Sequence, residues 1–507
     1  MSRRSILLKG TLILTLTGLC TRVMGFFYRI FLSHTFGEEG MGIYQLVFPV
    51  YALGFSLTCA GIQTILSRLT AKNTALGKEK EARELLYSGL LITVFLSCIV
   101  TLLLQKYANF AAVNFLKDPR CEDLLILLSY VFPFAAVHSC ICGYYFGRKE
   151  TGIPAVSQLL EQSARIAGVL LIYHIGKSQG VSFQISLAVI GLILGELASS
   201  SFCLYMLRKQ ETRRMHTPSF LRLARHAPKL LIPSLPLTGS RVLLNLLQST
   251  EAVSIPLKLQ LYGMTGREAL SVYGVLTGMA LPCILFPSAL TNSVSTMLLP
   301  EVADLQAVKD RSGFLSLVRK TACSCIAMGS ICCVFLFVTG PWIGRWLFHS
   351  SLAGTLIRTL AFMCPFLYTN GTLISMINGT GKTSVTFLIN GASLSLRLFS
   401  VFLLIPLFGI LGYLWGMLAS ELVLAFLCCL LVRRLAAFSW DGVNMLVKPS
   451  LLLILSIGLY LAIPERIRLS PAVPEFLTAV FGMGVISLCY GGLLLLFHQR
   501  RPPADTL

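Results

Sequence analysis

Apolar stretches long enough to cross about 30 Å of hydrocarbon recur along almost the whole chain, with short polar connections between them. They predict fourteen membrane helices. The first six fall at about 5–32, 41–66, 84–105, 122–146, 154–175 and 181–207. The next six fall at about 230–255, 269–299, 319–339, 352–378, 383–405 and 409–432, and two more at about 448–464 and 473–497. No connection approaches the roughly 50 residues of a small domain, so a soluble catalytic domain has no place. The first apolar run continues past Arg22 to Leu32 without a small-residue cleavage site. It reads as a span rather than a cleaved signal.

Composition agrees with the pattern. Charged residues make up 13% of the 507, against about 25% in soluble proteins, and the mean hydropathy is +0.76. The net charge of +20 is not a nucleic-acid footprint, because it is concentrated in alternate connections. With the N-terminus in the cytoplasm, 27 of the 42 Lys and Arg fall in cytoplasmic segments, 9 outside and 6 within spans. The richest cytoplasmic connections are 67–83, 208–229 and 300–320. This bias is the one insertion topology requires. It implies a multi-pass membrane protein with both termini in the cytoplasm.

The chain also repeats itself. Thr21-Arg22-Val23-Met24 in the first span matches Ser240-Arg241-Val242-Leu243 in the seventh. Pro133-Phe134 matches Pro365-Phe366, and at the same offset Gly147 and Arg165 fall on Gly379 and Arg397. Gly191, Glu196, Arg208 and Lys209 fall on Gly416, Glu421, Arg433 and Arg434. Four sets in one order indicate two parallel six-helix halves, related about an axis along the membrane normal. The expected architecture is an all-α polytopic membrane protein. It has an N-terminal lobe at 1–207, a basic cytoplasmic linker at 208–229, a C-terminal lobe at 230–432, and two further helices with a tail at 433–507.

Six arginines lie within predicted spans: Arg22, Arg29, Arg165, Arg241, Arg358 and Arg397. A charge at the bilayer centre costs roughly 2.5–3.5 kcal/mol on insertion scales, so each must face a partner, water or an anion. Arg29 and Arg358 lie nearer span ends, where snorkelling is an alternative. The others suggest a polar cavity suited to something negative. Glu161 and Arg165 stand i, i+4 and can pair. Arg397 has Ser393 at the glutamate's position and lacks that local partner, which favours it as a binding residue. Glu196, Glu251 and Glu421 are the other span carboxylates, able to counter an arginine, carry a proton or help hold a cation. Pro233, Pro236, Gly239, Gly278, Pro282 and Pro287 are candidate bending points.

Several motifs imply no chemistry. The sixteen cysteines lie mostly within spans, contain no CxxC and show no zinc spacing with histidine, so they read as packing residues and no metal site is expected. Asn378-Gly379-Thr380-Gly381-Lys382-Thr383-Ser384 has Met376 where a phosphate loop needs its first glycine, and no strand precedes it. His138 reads as a satisfied bundle residue. No catalytic residues and no cofactor are expected.

Lys9-Gly10-Thr11-Leu12-Ile13-Leu14, Thr21-Arg22-Val23-Met24-Gly25-Phe26 and Phe36-Gly37-Glu38-Glu39-Gly40-Met41-Gly42-Ile43-Tyr44 resemble the stage V sporulation protein B family of polysaccharide exporters. That family belongs to the superfamily of multidrug, oligosaccharidyl-lipid and polysaccharide (MOP) exporters, with the lipid II flippases. The resemblance implies a MATE-like bundle that moves an undecaprenyl-pyrophosphate-linked saccharide outward by alternating access. It implies no ATPase, coupling to H+, Na+ or membrane potential, and as partners a lipid-linked oligosaccharide, membrane lipids and cell-wall synthesis proteins. Arg22 matches the motif arginine that meets the pyrophosphate in the flippases. Arg29 is displaced from the family's second arginine position, which Tyr28 occupies. The alternatives are a cation-coupled multidrug exporter of the same fold, whose cationic substrates six arginines would repel, and a polytopic glycan-processing enzyme, which the short outer connections disfavour.

Overall fold

The computed structural model describes residues 3–181, 183–211, 220–307, 310–436, 448–462 and 475–498. The described residues are helical almost throughout and contain no strand. This follows from the solvent the sequence implies, because hydrocarbon offers no partner to a backbone N–H or C=O. Nine described helices are long and apolar enough to cross a membrane, or ten if one pair bent by 42° counts as one span. Helix fills most of each of the fourteen predicted windows where they are described, with breaks such as 183–185 and 286–287. The lower number arises because two windows fuse into one helical run, the helix over 154–175 carries too much polarity, and the last two helices have short apolar stretches.

Packing divides the chain into two compact units, Met1–Gly274 and Val275–Leu507. The first contains α1 (Arg3–Phe55), α2 (Gly61–Ala75), α3 (Glu79–Lys106), a single turn α4 (Ala108–Phe110), α5 (Cys121–Ser129), α6 (Val131–Arg148), α7 (Gly152–Ser178), α8 (Ser186–Glu211), α9 (Phe220–Leu261) and α10 (Gly266–Gly274). The seventh predicted span, α9, therefore packs with the first six, against α1, α2 and α3. Part of the 208–229 linker, 212–219 with Arg213 and Arg214, lies outside the described residues, as does Lys309.

Within the segment 33–40, expected as a connection, the helix breaks at Gly37, where two helices join as α1. Gly37 has a φ of 69°, a left-handed conformation that favours glycine. The rest of that motif serves packing. A Cβ on Gly42 would stand 2.2 Å from Leu270 O, and one on Gly274 2.4 Å from Gly42 N, so α1 and α10 meet backbone to backbone. Lipid is as apolar as leucine, so membrane helices associate through such close packing rather than through water exclusion. Glu39 Oε1 accepts from Arg120 Nη1 at 2.6 Å and Glu39 Oε2 pairs with Arg267 Nε at 3.1 Å, tying the bend to two neighbouring segments.

Prolines act unevenly. α5 and α6 bend at Tyr130, and Pro133 sits in the first turn of α6, where its missing N–H costs nothing. Pro233 and Pro236 leave α9 continuous. A π turn at Ser56–Ala60 links α1 to α2.

The second unit opens with a π turn at Val275–Ala280 that includes Gly278. It continues with α11 (Leu281–Leu285), α12 (Ser288–Ala307), α13 (Arg311–Phe348), α14 (Ser351–Leu360), α15 (Cys364–Gly379), α16 (Thr383–Leu403), α17 (Ile405–Phe408), α18 (Ile410–Ala436), α19 (Lys448–Ala462) and a final described helix, Glu475–His498. The predicted span over 269–299 is thus interrupted, and Pro287 lies in the break before α12. Asp310 caps α13, its Oδ1 accepting from Gly313 N at 2.9 Å. Bonds from the Gly313 N–H and the Ser312 hydroxyl hold its carboxyl below the usual range. The core of this unit is Leu298, Val318, Leu373, Met376, Ile377 and Leu424.

Candidate functional site

Four of the six span arginines fall in the first unit. Arg22 on α1 is exposed and Arg29, two turns on, is half-buried. Between them Tyr28 is buried. On α7, Glu161 Oε1 accepts from Arg165 Nη2, the ion pair their spacing predicted. That bond leaves Arg165 Nε buried without a hydrogen-bond partner, and the same holds for Tyr28 Oη, Gln45 Nε2 and Gln162 Oε1. Tyr28 and Arg165 are neighbours, since a Cβ on Gly191 would stand 3.2 Å from Tyr28 Oη and 3.4 Å from Arg165 Cγ. Arg165 also acts electrostatically on Tyr44 and Tyr51.

Arg241 takes a structural position. Its Nη1 donates to Ala60 O at 2.8 Å and its Nη2 to Thr64 Oγ1 at 3.3 Å. One turn on, Asn245 Nδ2 donates to Ser56 Oγ at 2.6 Å and Ala52 O at 3.2 Å. The polar side of α9 thus clamps the π turn between α1 and α2, where altered i→i+5 bonding coincides with carbonyls held by side chains. The Arg241 side chain remains exposed.

The carboxylates are all buried, Glu196 at 6%, Glu251 at 4% and Glu421 at 7% exposure. Glu196 Oε2 lies 3.0 Å from His138 Nδ1, and His138 Nε2 lies 3.0 Å from Ser157 Oγ. In the second unit Asn370 Nδ2 donates to Glu421 Oε2 at 2.7 Å and to Glu421 O at 3.0 Å. Asn370 stands where the repeat places His138, at the Pro133–Pro365 offset, so each unit holds its glutamate from the same position of the same helix. The neighbouring crossing also repeats. Gly195 approaches the Glu161 carbonyl, to which an added Cβ would stand 2.8 Å, while at the equivalent pair Ser393 Oγ donates to Ser420 O at 3.2 Å.

Arg397 therefore sits on α16 as Arg165 sits on α7, with Ser393 turned to α18, and it acts electrostatically on Glu421. Arg358 lies over the Phe337 ring, 4.5 Å from its centroid, a cation–π contact near a span end. Sequence reasoning missed Gln45, Gln162, Asn245 and Asn370. Only Asn370 carried a signal, as the counterpart of His138.

Buried carboxylates and span arginines within a two-unit helical membrane protein fit a multi-pass transporter, and similarity to known proteins places the chain in the MOP superfamily of exporters. The structure resembles the lipid II flippase MurJ in an inward closed conformation, with a TM-score of 0.71 and 14% identity over 96% of this chain and 99% of that one. It also resembles an inward-facing MATE multidrug resistance transporter of the MOP superfamily, with a TM-score of 0.62 and 15% identity over 84% and 98%. In sequence it is 31% identical over 412 residues to stage V sporulation protein B of Bacillus subtilis (strain 168), covering 80% of this chain and 79% of that protein. The family profile described as polysaccharide biosynthesis protein matches residues 7–306. The chain belongs to that family. The similar proteins whose names state a role are transporters and flippases rather than enzymes.

Proposed function

We propose that this protein translocates an undecaprenyl-pyrophosphate-linked saccharide, lipid II or a related cell-wall, spore-cortex or polysaccharide precursor, across the bacterial cytoplasmic membrane by alternating access. The observation that carries the reading is the Arg165 group. Arg165 Nε and Tyr28 Oη are buried donors without an acceptor, and leaving such groups unpaired costs about 1–3 kcal/mol each. An anionic oxygen supplies the missing acceptor. Arg22 and Arg241, both exposed, attract the pyrophosphate, because a guanidinium presents a planar fork of donors and stays charged. Arg29 adds positive charge in the first unit, and Arg397 carries the repeat-equivalent charge in the second. Glu251, Glu196 and Glu421 are the carboxylates available for coupling to H+ or Na+. The membrane potential is a further drive for an anionic headgroup. The charge bias supports cytoplasmic termini, so an impermeant thiol reagent should modify a cysteine at exposed Gln179 from outside but not one at exposed Lys78.

The test is translocation by the full chain in proteoliposomes, with labelled lipid II in one set and a cationic dye in another. Protein-dependent movement of lipid II alone is expected. Movement of the dye alone would make the protein a multidrug exporter of the same fold.

A further inference from the structure

We propose that His138, Cys142 and Cys203 form a binding site for a thiophilic d10 cation, Zn2+ foremost, where α6, α7 and α8 cross. All three side chains are buried, and their donor atoms lie within 4.8 Å of one another. A tetrahedral ion with Zn–S bonds of about 2.3 Å and a Zn–N bond of about 2.0 Å sets donor separations of roughly 3.4–3.8 Å. Small side-chain adjustments therefore suffice to close the site.

The surroundings suit a ligating histidine. Glu196 Oε2 accepts from His138 Nδ1 at 3.0 Å, the carboxylate–imidazole arrangement that fixes the tautomer and directs the Nε2 lone pair to a metal. Nε2 faces Ser157 Oγ at 3.0 Å, and Ser157 Oγ in turn lies 3.5 Å from Cys142 Sγ. The serine proton is given to Pro154 O at 2.8 Å, so its oxygen is free to become the fourth donor. His138 and Cys142 are one turn apart on α6, which puts both on one face. Soft thiolates with imidazole select Zn2+ or Cu+ over hard cations. Binding Zn2+ releases both thiol protons, leaving two thiolates, a neutral imidazole and the ion with no net charge. The Glu196 carboxylate remains beside this neutral set, held by the imidazole N–H that it orients.

The second unit shows that the fold does not itself demand His138, Cys142 or Ser157, although it keeps a cysteine at the position of Cys203. The repeat puts Asn370, Ile374 and Cys428 where the first unit has His138, Cys142 and Cys203, and Ile389 in place of Ser157. Ile389 and Cys428 there belong to the apolar core, and Ile374 packs against it.

The experiment uses the full chain in detergent, titrated with Co2+ as a spectroscopic probe and then competed with Zn2+. We expect one Co2+ per chain with tetrahedral visible bands and thiolate charge-transfer absorption, both removed by Zn2+. Cys142→Ser and Cys203→Ser should each lower Co2+ affinity at least tenfold and weaken the charge-transfer band. Cys140→Ser and Cys428→Ser, buried thiols outside the cluster, should leave both unchanged. His138→Asn installs the residue the second unit carries naturally, and it too should weaken binding if a cysteine variant fails to accumulate. The proposal is overturned if the unsubstituted chain gives no such bands. It is equally overturned if the bands survive Cys142→Ser with Cys203→Ser, or depend on Glu161→Gln instead.

Discussion

At the crossing of α6, α7 and α8, Glu196 meets a histidine beside two thiols and two serines. At the corresponding crossing of α15, α16 and α18, Glu421 meets an asparagine amide, and the remaining positions are filled by Ile374, Ile389, Leu424 and Cys428. The helices, the glutamate and the nearby arginine recur. The filling does not. A duplicated frame lets one copy keep the geometry through apolar packing while the other is free to carry polar chemistry.

Substitution can break this comparison. Glu196→Ala removes the carboxylate that faces both the His138 ring nitrogen and the Ser199 hydroxyl, for which a loss of about 2–3 kcal/mol is expected. Glu421→Ala removes a neutral amide's acceptor and should cost about 1 kcal/mol. Thermal unfolding midpoints in detergent measure both, and equal losses would mean that the two glutamates sit in equivalent environments. The apolar filling reverses the order one turn later. Leu424→Ala should cost about 2–4 kcal/mol through the cavity it opens, and Ser199→Ala, its counterpart, about 1 kcal/mol or less. Similar midpoints for these two would contradict the packing contrast. Smaller effects concern the helix approach. Gly195→Ala pushes a Cβ to 2.8 Å from the Glu161 carbonyl oxygen and should cost about 1–2 kcal/mol. Ser420→Gly keeps the carbonyl that Ser393 uses but loses the bond its hydroxyl donates to Met417 O, so with the glycine penalty it should cost about 1 kcal/mol.

Much of this was legible because membranes write plainly. Apolar windows located the helices, and i, i+4 spacing located the Glu161–Arg165 pair. The repeat placed Glu196 and Glu421 at equivalent sites before any contact was seen. Departures arose where a side chain's partner lies far along the chain. Nothing local reveals that Cys203 reaches Cys142, or that Arg241 reaches the Ala60 carbonyl. Backbone detail was also hidden. Gly37 read as part of a connection, because a single left-handed residue bends a helix without lowering the polarity around it. The motif carrying the family resemblance proved to be largely about packing, through Gly37, Gly42 and Glu39, which explains why it reports the fold more sharply than the substrate.

The central claim is that arginines in the first unit bind a pyrophosphate headgroup. The most direct measurement is lipid II translocation in proteoliposomes by Arg22→Ala, Arg22→Lys, Arg241→Ala and Arg241→Lys, with each protein's abundance quantified alongside. The account predicts normal abundance for the Arg22 variants, lower abundance for Arg241→Ala because Arg241 also holds the Ala60 carbonyl, and, per molecule accumulated, lost translocation in the alanine variants with partial activity for lysine. Alanine variants that translocate normally, or that fail only because the protein no longer accumulates, would contradict it.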